Sequence, residues 1–406
     1  MKNYKIKGIA MSCILFFFTQ LHAQKFESLA QTPPMGWNSW NKFQADINEQ
    51  LIKETADVIV SSGMRDAGYI YLVLDDGWMA PVRDEKTGDL VADPKKFPHG
   101  MKAIADYIHS KGLKFGIYNC AGTKTCQGLP GTRGYEYQDA RLYASWDVDY
   151  LKFDWCYSDK QNAEESYTTM GKALLSAKRP MIFSICELGT NKPWIWGAKM
   201  GHLWRTTDDI GVQFDGYIDH KTWKQLSIMT MIDQQVGLEK YAGKGHWNDP
   251  DMLEVGNGLT ASEDRLHFSM WCMLAAPLMS GNDLTKMSQT TKEILMNKDV
   301  IAIDQDPLGF QAFRYLNEDS VQVWFKPLQN DEWAACFFNR SSVTKNINFN
   351  WQRENVNDTL NKRRLPTASA NFNLYDLWKK KNIGNTRNPL NVNLGPHDVL
   401  LIRLGG

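Results

Sequence analysis

Residues 69–78 read Tyr69-Ile70-Tyr71-Leu72-Val73-Leu74-Asp75-Asp76-Gly77-Trp78. Six apolar or aromatic residues in a row do not fit a strand with one wet face, which would alternate; a continuous run marks a parallel strand covered on both sides. This run ends in two carboxylates. The pattern returns where residues 150–153 meet Asp154, where 181–186 meet Glu187, and where 202–207 meet Asp208 and Asp209. In a barrel of parallel strands the C-terminal ends converge on one pocket, so acids repeated at that position predict a carboxylate-lined site.

Outward from this run, helix signals alternate with strand signals. Asp46-Ile47-Asn48-Glu49 resembles a capping box, and Ile47, Leu51, Ile52, Val58 and Ile59 give an apolar helical face that stops at Gly63. Met101, Ile104, Ala105 and Ile108 outline a second helix, which ends at Gly112 and runs at once into a strand over 113–119. Strands are expected over 35–40, 69–74, 113–119, 150–153, 181–186, 203–206, 245–248 and 274–280. Eight strands over about 250 residues predict a (β/α)8 TIM barrel. A doubly wound open sheet is the competing layout, but no GxGxxG loop follows the first strand.

After Asp306-Pro307-Leu308-Gly309 the texture changes. Short β-rich segments at 320–325, 333–338, 345–350, 371–377 and 399–404 are separated by Asn, Asp, Gly and Pro, which predicts a C-terminal antiparallel β-sandwich packed directly on the barrel. At the other end, Lys2, Lys5 and Lys7 precede an apolar stretch over 9–18, and Leu21-His22-Ala23 offers a cleavage point. That is a secretory signal, too short for the roughly 20 residues of a spanning helix. The expected organisation is a signal peptide at 1–23, a catalytic barrel at 24–308 and the sandwich at 309–406, in a secreted or periplasmic protein with no membrane attachment after cleavage.

Lys plus Arg and Asp plus Glu both number 46, without a basic block, so no nucleic acid or anionic membrane is implied as a partner. Aromatics are abundant, with 15 Trp, 15 Tyr and 18 Phe; most will fill cores, but flat rings beside carboxylates also suit sugar faces. Cys120, Cys126, Cys156, Cys186, Cys272 and Cys336 follow the signal. With no CxxC and no HExxH, a zinc site is not expected, and at most one or two disulfides are. Asn339-Arg340-Ser341 and Asn357-Asp358-Thr359 are N-glycosylation tripeptides if the source glycosylates exported proteins.

Lys152 and Asp154 lie two apart in a strand and therefore face one side. A cation there lowers the pKa of the acid and keeps it ionised, as a carboxylate nucleophile requires; a structural ion pair is the equal alternative. Asp208 and Asp209 raise one another's pKa, which suits a proton donor, while helix capping accounts for such acids equally well. Charge alone does not choose between them. Asp75 and Asp76 can accept hydrogen bonds from two hydroxyls of one sugar, with divalent metal binding as the second reading. Asp249 reads as structural before Pro250, and Asp251 as a pocket residue. For Trp37, Tyr118 and Met252 taken singly, packing is the default.

Together, Pro34-Met35-Gly36-Trp37-Asn38-Ser39-Trp40, Leu74-Asp75-Asp76-Gly77-Trp78, Gly116-Ile117-Tyr118, Lys124-Thr125-Cys126, Leu151-Lys152-Phe153-Asp154, Cys186-Glu187, Trp204-Arg205, Asp208-Asp209-Ile210 and Trp247-Asn248-Asp249-Pro250-Asp251-Met252 resemble glycoside hydrolase family 27, the α-galactosidase and α-N-acetylgalactosaminidase family. The resemblance implies a retaining exo-α-galactosidase that needs no cofactor or metal and acts on an α-galactoside. It implies Asp154 as nucleophile and Asp209 as acid/base, with Trp37, Asp75, Asp76, Tyr118, Lys152, Glu187, Arg205 and Asp251 binding substrate. It also implies a Cys126–Cys156 disulfide. Members acting on the 2-acetamido sugar carry a small residue where this chain has Glu187, so galactose is favoured over N-acetylgalactosamine. Asp75-Asp76 favours a sugar with a 6-hydroxyl over the arabinopyranoside of the family's β-L-arabinopyranosidases.

The chain departs from the family in two places. The extra cysteines of the animal enzymes near the first two strands are absent, and Leu188-Gly189-Thr190-Asn191-Lys192-Pro193-Trp194 replaces the Trp that often follows Cys-Glu. From another class, a non-catalytic carbohydrate-binding barrel is the rival, which retention of both Asp154 and Asp209 disfavours.

Overall fold

The computed structural model describes residues 25–405; the expected signal peptide at 1–23 lies outside the described residues. Eight parallel strands form one sheet: Met35–Asn38, Tyr71–Val73, Lys114–Cys120, Tyr150–Asp154, Ile182–Cys186, Leu203–Arg205, Trp247–Asp249 and Leu278–Ser280. The eighth pairs with the first, and the order then follows the chain to the seventh. The ring closes through a single parallel bridge between Leu253 and Ser280, with Leu253 N–H donating to the Met279 carbonyl at 2.8 Å. This is the expected (β/α)8 barrel.

Its geometry follows from residue choice. Gly36 brings the first two strands together: a Cβ there would lie 2.2 Å from the Tyr71 carbonyl oxygen. The helix after the first strand, Glu49–Ser61, buries Ile52, Thr55, Ala56 and Ile59, the i, i+3, i+4, i+7 spacing of one helical face. Its N-cap is Asn48, whose side chain accepts from Leu51 N–H, not Asp46, because Asn48 is the residue that leaves the helix in extended conformation. The eighth strand is shorter than the expected 274–280. Helix Ala261–Met273 runs almost to it and is buried nearly all round, so an unbroken apolar stretch hides where helix becomes strand.

Beyond helix Lys298–Asp304, a six-stranded antiparallel sheet takes the order Phe313–Glu318, Val321–Pro327, Trp333–Asn339, Val399–Gly405, Asn373–Asp376, Lys381–Asn385. A smaller pair, Lys345–Phe349 with Leu390–Leu394, completes the sandwich. In the central strands successive residues go opposite ways. Val323, Phe325, Ala335, Phe337, Leu400 and Ile402 join the sandwich core, whereas Trp324, Ala334, Cys336, Phe338 and Leu401 join the barrel core. Both faces of the sheet are thus covered, and the sandwich packs directly on the barrel. Lys326, buried at this junction, donates to the carbonyls of Cys272 at 3.0 Å and Ile303 at 2.7 Å. Asn339 is also buried, with Nδ2 donating to the carbonyls of Val343 and Gly395 at 2.7 and 2.8 Å; its amide cannot take a glycan in the folded chain. Among the described residues no helix is long and apolar enough to cross a membrane.

Candidate active site

The parallel register sets side chains from neighbouring strands at matching heights: Tyr118 opposite Lys152, Cys120 opposite Asp154, Asp154 opposite Cys186, and Arg205 opposite Asp249. Just beyond the strand ends a cavity is lined by Asp75, Asp76, Tyr118, Lys152, Asp154, Arg205, Asp209 and Asp251, together with Trp40, Asn41, Cys126, Cys186 and Met252. Acids and cations expected from separate segments therefore share one pocket. A larger cleft of about 890 Å³ lies where the barrel helices meet the sandwich, and none of the strand-end acids lines it.

Asp154 closes the fourth strand. Its Oδ2 accepts from Tyr118 Oη at 2.8 Å and its Oδ1 from Trp155 N–H at 2.8 Å, so both oxygens are fixed. Burial raises its pKa; the Lys152 ammonium opposes this and Asp209 adds to it. Lys152 thus acts in the expected direction, but desolvation outweighs it. Nor does Lys152 bond Asp154: its Nζ donates to Asp75 Oδ2 at 2.8 Å, an oxygen that also accepts from Asn38 Nδ2 at 2.8 Å. Burial works against the Lys152 ammonium, yet the carboxylates of Asp75, Asp154 and Asp251 leave its pKa well raised. Asp76 is buried, with Oδ1 accepting from Gly77 N–H and Oδ2 from Gln127 N–H at 2.8 and 2.9 Å, and burial pushes its carboxyl up to about 6.

Across the cavity Arg205, 3 % exposed as a side chain, donates from Nη2 to Asp251 Oδ2 at 2.9 Å and Asp209 Oδ1 at 3.2 Å. Asp209 keeps 40 % of its side chain exposed. Asp208 points elsewhere: it is exposed and offers Arg205 only its carbonyl, at 2.7 Å. Asp251 sits at φ +97°, a conformation that costs a non-glycine residue on the order of 1–3 kcal/mol. Five hydrogen-bonding groups hold it there. Its N–H donates to Asp249 Oδ1, its carboxylate accepts from Ile210 N–H, Met252 N–H and Arg205, and its carbonyl accepts from Trp271 Nε1. Asp249 is not among the residues that line the cavity, and its Oδ1 accepts from Asp251 N–H at 2.9 Å.

Two expected substrate residues do not line the cavity. Trp37 is fully buried and donates from Nε1 to the Asn282 carbonyl at 2.8 Å. Glu187 is also buried, with Oε2 accepting from the Asn191 backbone N–H and from Asn191 Nδ2, both at 2.7 Å, while Oε1 has no partner among the described residues. Trp40, Asn41 and Cys186 also line the cavity, as does Met252, for which packing is the reading from sequence. Trp40 and Asn41 lie two and three residues past the end of the first strand, where the strand-end rule alone points to them.

Cys126 and Cys156 form the expected disulfide, with Cα atoms 5.2 Å apart. Cys120, Cys186, Cys272 and Cys336 are buried free thiols. Ligand atoms of Cys126, Cys156 and Asp154 lie within 4.8 Å of one another, but the disulfide removes both thiolates from any metal coordination.

A family model described as alpha galactosidase A matches residues 32–306, and one for the alpha galactosidase C-terminal beta sandwich domain matches 318–404. The alpha-galactosidase A of Cellvibrio japonicus is 46 % identical over 404 residues, covering 100 % of this chain and 99 % of its own. Among solved structures, alpha-galactosidase I from Mortierella vinacea superposes with a TM-score of 0.86 at 37 % identity, over 93 % of this chain and 98 % of that one. The alpha-galactosidase from Saccharomyces cerevisiae with raffinose gives 0.85 at 31 % identity, over 94 % and 99 %. The chain belongs to glycoside hydrolase family 27, the α-galactosidase family.

Proposed function

We propose that the chain is a retaining exo-α-galactosidase that releases terminal α-linked D-galactose, with Asp154 as nucleophile and Asp209 as acid/base. The observation that carries this division of labour is the contrast between the two acids in one cavity. Asp154 has both oxygens fixed by Tyr118 and Trp155, as a nucleophile held against the anomeric carbon requires. Asp209 is more open, with one oxygen shared with Arg205, as a proton shuttle that meets leaving group and then water requires. In the first step the Asp154 carboxylate forms an ester bond to the anomeric carbon as the glycosidic bond breaks and Asp209 protonates the departing oxygen. Water, giving its proton to Asp209, then displaces Asp154 and leaves α-galactose.

Asp75, Asp76, Tyr118, Lys152, Arg205 and Asp251 are assigned to hydroxyl recognition because their polar atoms face the same cavity. Glu187 lies behind the cavity wall, tied to Asn191; its assignment to the 2-hydroxyl side and to rejection of a 2-acetamido group rests on the resemblance of Cys186-Glu187 to the family motif. The catalytic barrel is taken to end near residue 308 and the sandwich to run from there to 406. Export with cleavage after residue 23 is proposed from the N-terminal sequence, and the Cys126–Cys156 disulfide supports an oxidising compartment. NMR of the anomer first released from an aryl α-galactoside tests the mechanism: α-galactose is expected, and β-galactose appearing first contradicts it.

A further inference from the structure

A two-stranded hairpin, Tyr217–Asp219 with Lys224–Leu226, rises from the peptide that carries Asp209. Leu226 N–H donates to the Asp209 carbonyl at 2.8 Å and Gly211 N–H to the Leu226 carbonyl at 2.9 Å. Gln225 Nε2 reaches the Ile210 carbonyl at 3.3 Å, and Ile210 N–H is held by Asp251 of the cavity at 2.9 Å. The hairpin is therefore braced against the acid side of the pocket.

Its two faces differ. Ile218 pairs with Gln225, and both turn toward Gly211, where a Cβ would meet Ile218 Cδ1 at 2.9 Å and Gln225 Cβ at 3.0 Å. Strand alternation places His220 and Trp223 on that same face, nearer the tip. His220 N–H donates to the Trp223 carbonyl at 3.0 Å, and the two rings stack with centroids 4.2 Å apart and planes 13° from parallel. His220 Nε2 is in turn tied to Gln225 Oε1 at 2.9 Å. Trp223 nevertheless stays 48 % exposed. An indole held flat by a stacked neighbour, yet left uncovered, has already lost the side-chain freedom that a ligand would otherwise have to freeze.

We propose that the Trp223 indole, backed by His220, is the subsite for the leaving group: it receives the flat C–H face of the sugar to which galactose is joined. This rests on the α-galactosidase reading above and adds the aglycone class, a glycosyl unit of an oligosaccharide. The position fits, since the leaving oxygen meets Asp209 and the next sugar must then lie on the side where the hairpin stands. The hairpin's arms carry the platform roughly 10 Å from its base.

The test uses the full chain and two substrates: raffinose, whose leaving group is a disaccharide, and α-galactosyl fluoride, whose leaving group is a single ion that cannot reach the hairpin. The quantity read is kcat/KM for raffinose divided by that for the fluoride. In Trp223→Ala this ratio is expected to fall about tenfold, the effect of roughly 1.4 kcal/mol of lost stacking, and Trp223→Phe should restore most of it. An unchanged ratio in Trp223→Ala, whether both values hold or both fall together, overturns the assignment. If the unmodified protein hydrolyses neither compound, the galactosidase reading fails, and this inference with it.

Discussion

Replacing Lys152 by Met probes the coupling between the buried cation and the proposed nucleophile. Lys152 and Asp154 share one face of the fourth strand, their Cα atoms two residues and so roughly 6.6 Å apart. At an effective dielectric of about 20, unit charges at that separation interact by roughly 2.5 kcal/mol, and partial screening at the cavity mouth leaves about one to two pH units. Burial already holds the Asp154 pKa above the ordinary carboxylate range with Lys152 opposing it, so removing the cation raises it further. Catalysis needs Asp154 ionised and is lost as pH falls through its pKa; the acid limb of kcat/KM should therefore move up by about one to two units. The variant should also be less stable, by about 3–5 kcal/mol, because Asp75 loses its charged partner at 2.8 Å and stays buried. The assay is the pH profile of kcat/KM on an aryl α-galactoside, with urea unfolding in parallel. An acid limb that overlays that of the unmodified protein refutes the coupling.

Three further perturbations follow from the same structure. Asp154→Asn should abolish turnover by a factor on the order of 10⁴ yet raise the melting temperature at pH 7. A carboxyl whose folded pKa is raised destabilises the fold above that pKa and not below the unfolded value of about 3.9, so the gain should vanish in melts near pH 3. Cys126→Ser should cost about 3–4 kcal/mol in denaturant unfolding, since the disulfide spans 30 residues, and should also lower activity because neighbouring Gln127 N–H anchors Asp76 at 2.9 Å; equal unfolding midpoints with and without the bond would contradict this. Gly36→Ala should destabilise by about 3 kcal/mol or more, its Cβ falling 2.2 Å from the Tyr71 carbonyl, and an unfolding curve matching that of the unmodified protein would count against it.

Trp247–Asp249 carries two polar residues and shows no apolar run, whereas barrel strands such as Tyr71–Val73 could be read from the chain because they are covered on both sides and so appear as an apolar run ending at polar residues. The same property concealed the eighth strand's start, where the buried helix Ala261–Met273 leaves no change of period. In the sandwich, Lys381–Asn385 holds one large apolar residue and resembles loop composition, while Leu390–Leu394 alternates Leu, Asn, Val, Asn, Leu over only five residues, too short a stretch to stand out among the surrounding Asn residues. The edge strand Phe313–Glu318, only partly buried, lacks a continuous run. The hairpin at 217–226 escaped because three-residue arms carry too little period to register.

At the site, acids were legible and their partners were not. Which oxygen Lys152 bonds depends on the neighbouring second strand, and no local spacing reveals that Asp75 outcompetes Asp154. Asp208 and Asp209 are equivalent in sequence and separate only when the backbone turns one toward Arg205 and leaves the other in solvent. Glu187 is drawn back by Asn191, four residues on, through two hydrogen bonds that a motif does not encode.

The central claim is that Asp154 forms the covalent bond to the sugar. Trapping the intermediate with a 2-deoxy-2-fluoro-galactosyl fluoride and locating the label by peptide mass spectrometry tests it most directly. The label is expected on the peptide carrying Asp154, with none formed in Asp154→Asn; a label on Asp209, or on any other residue, contradicts the account.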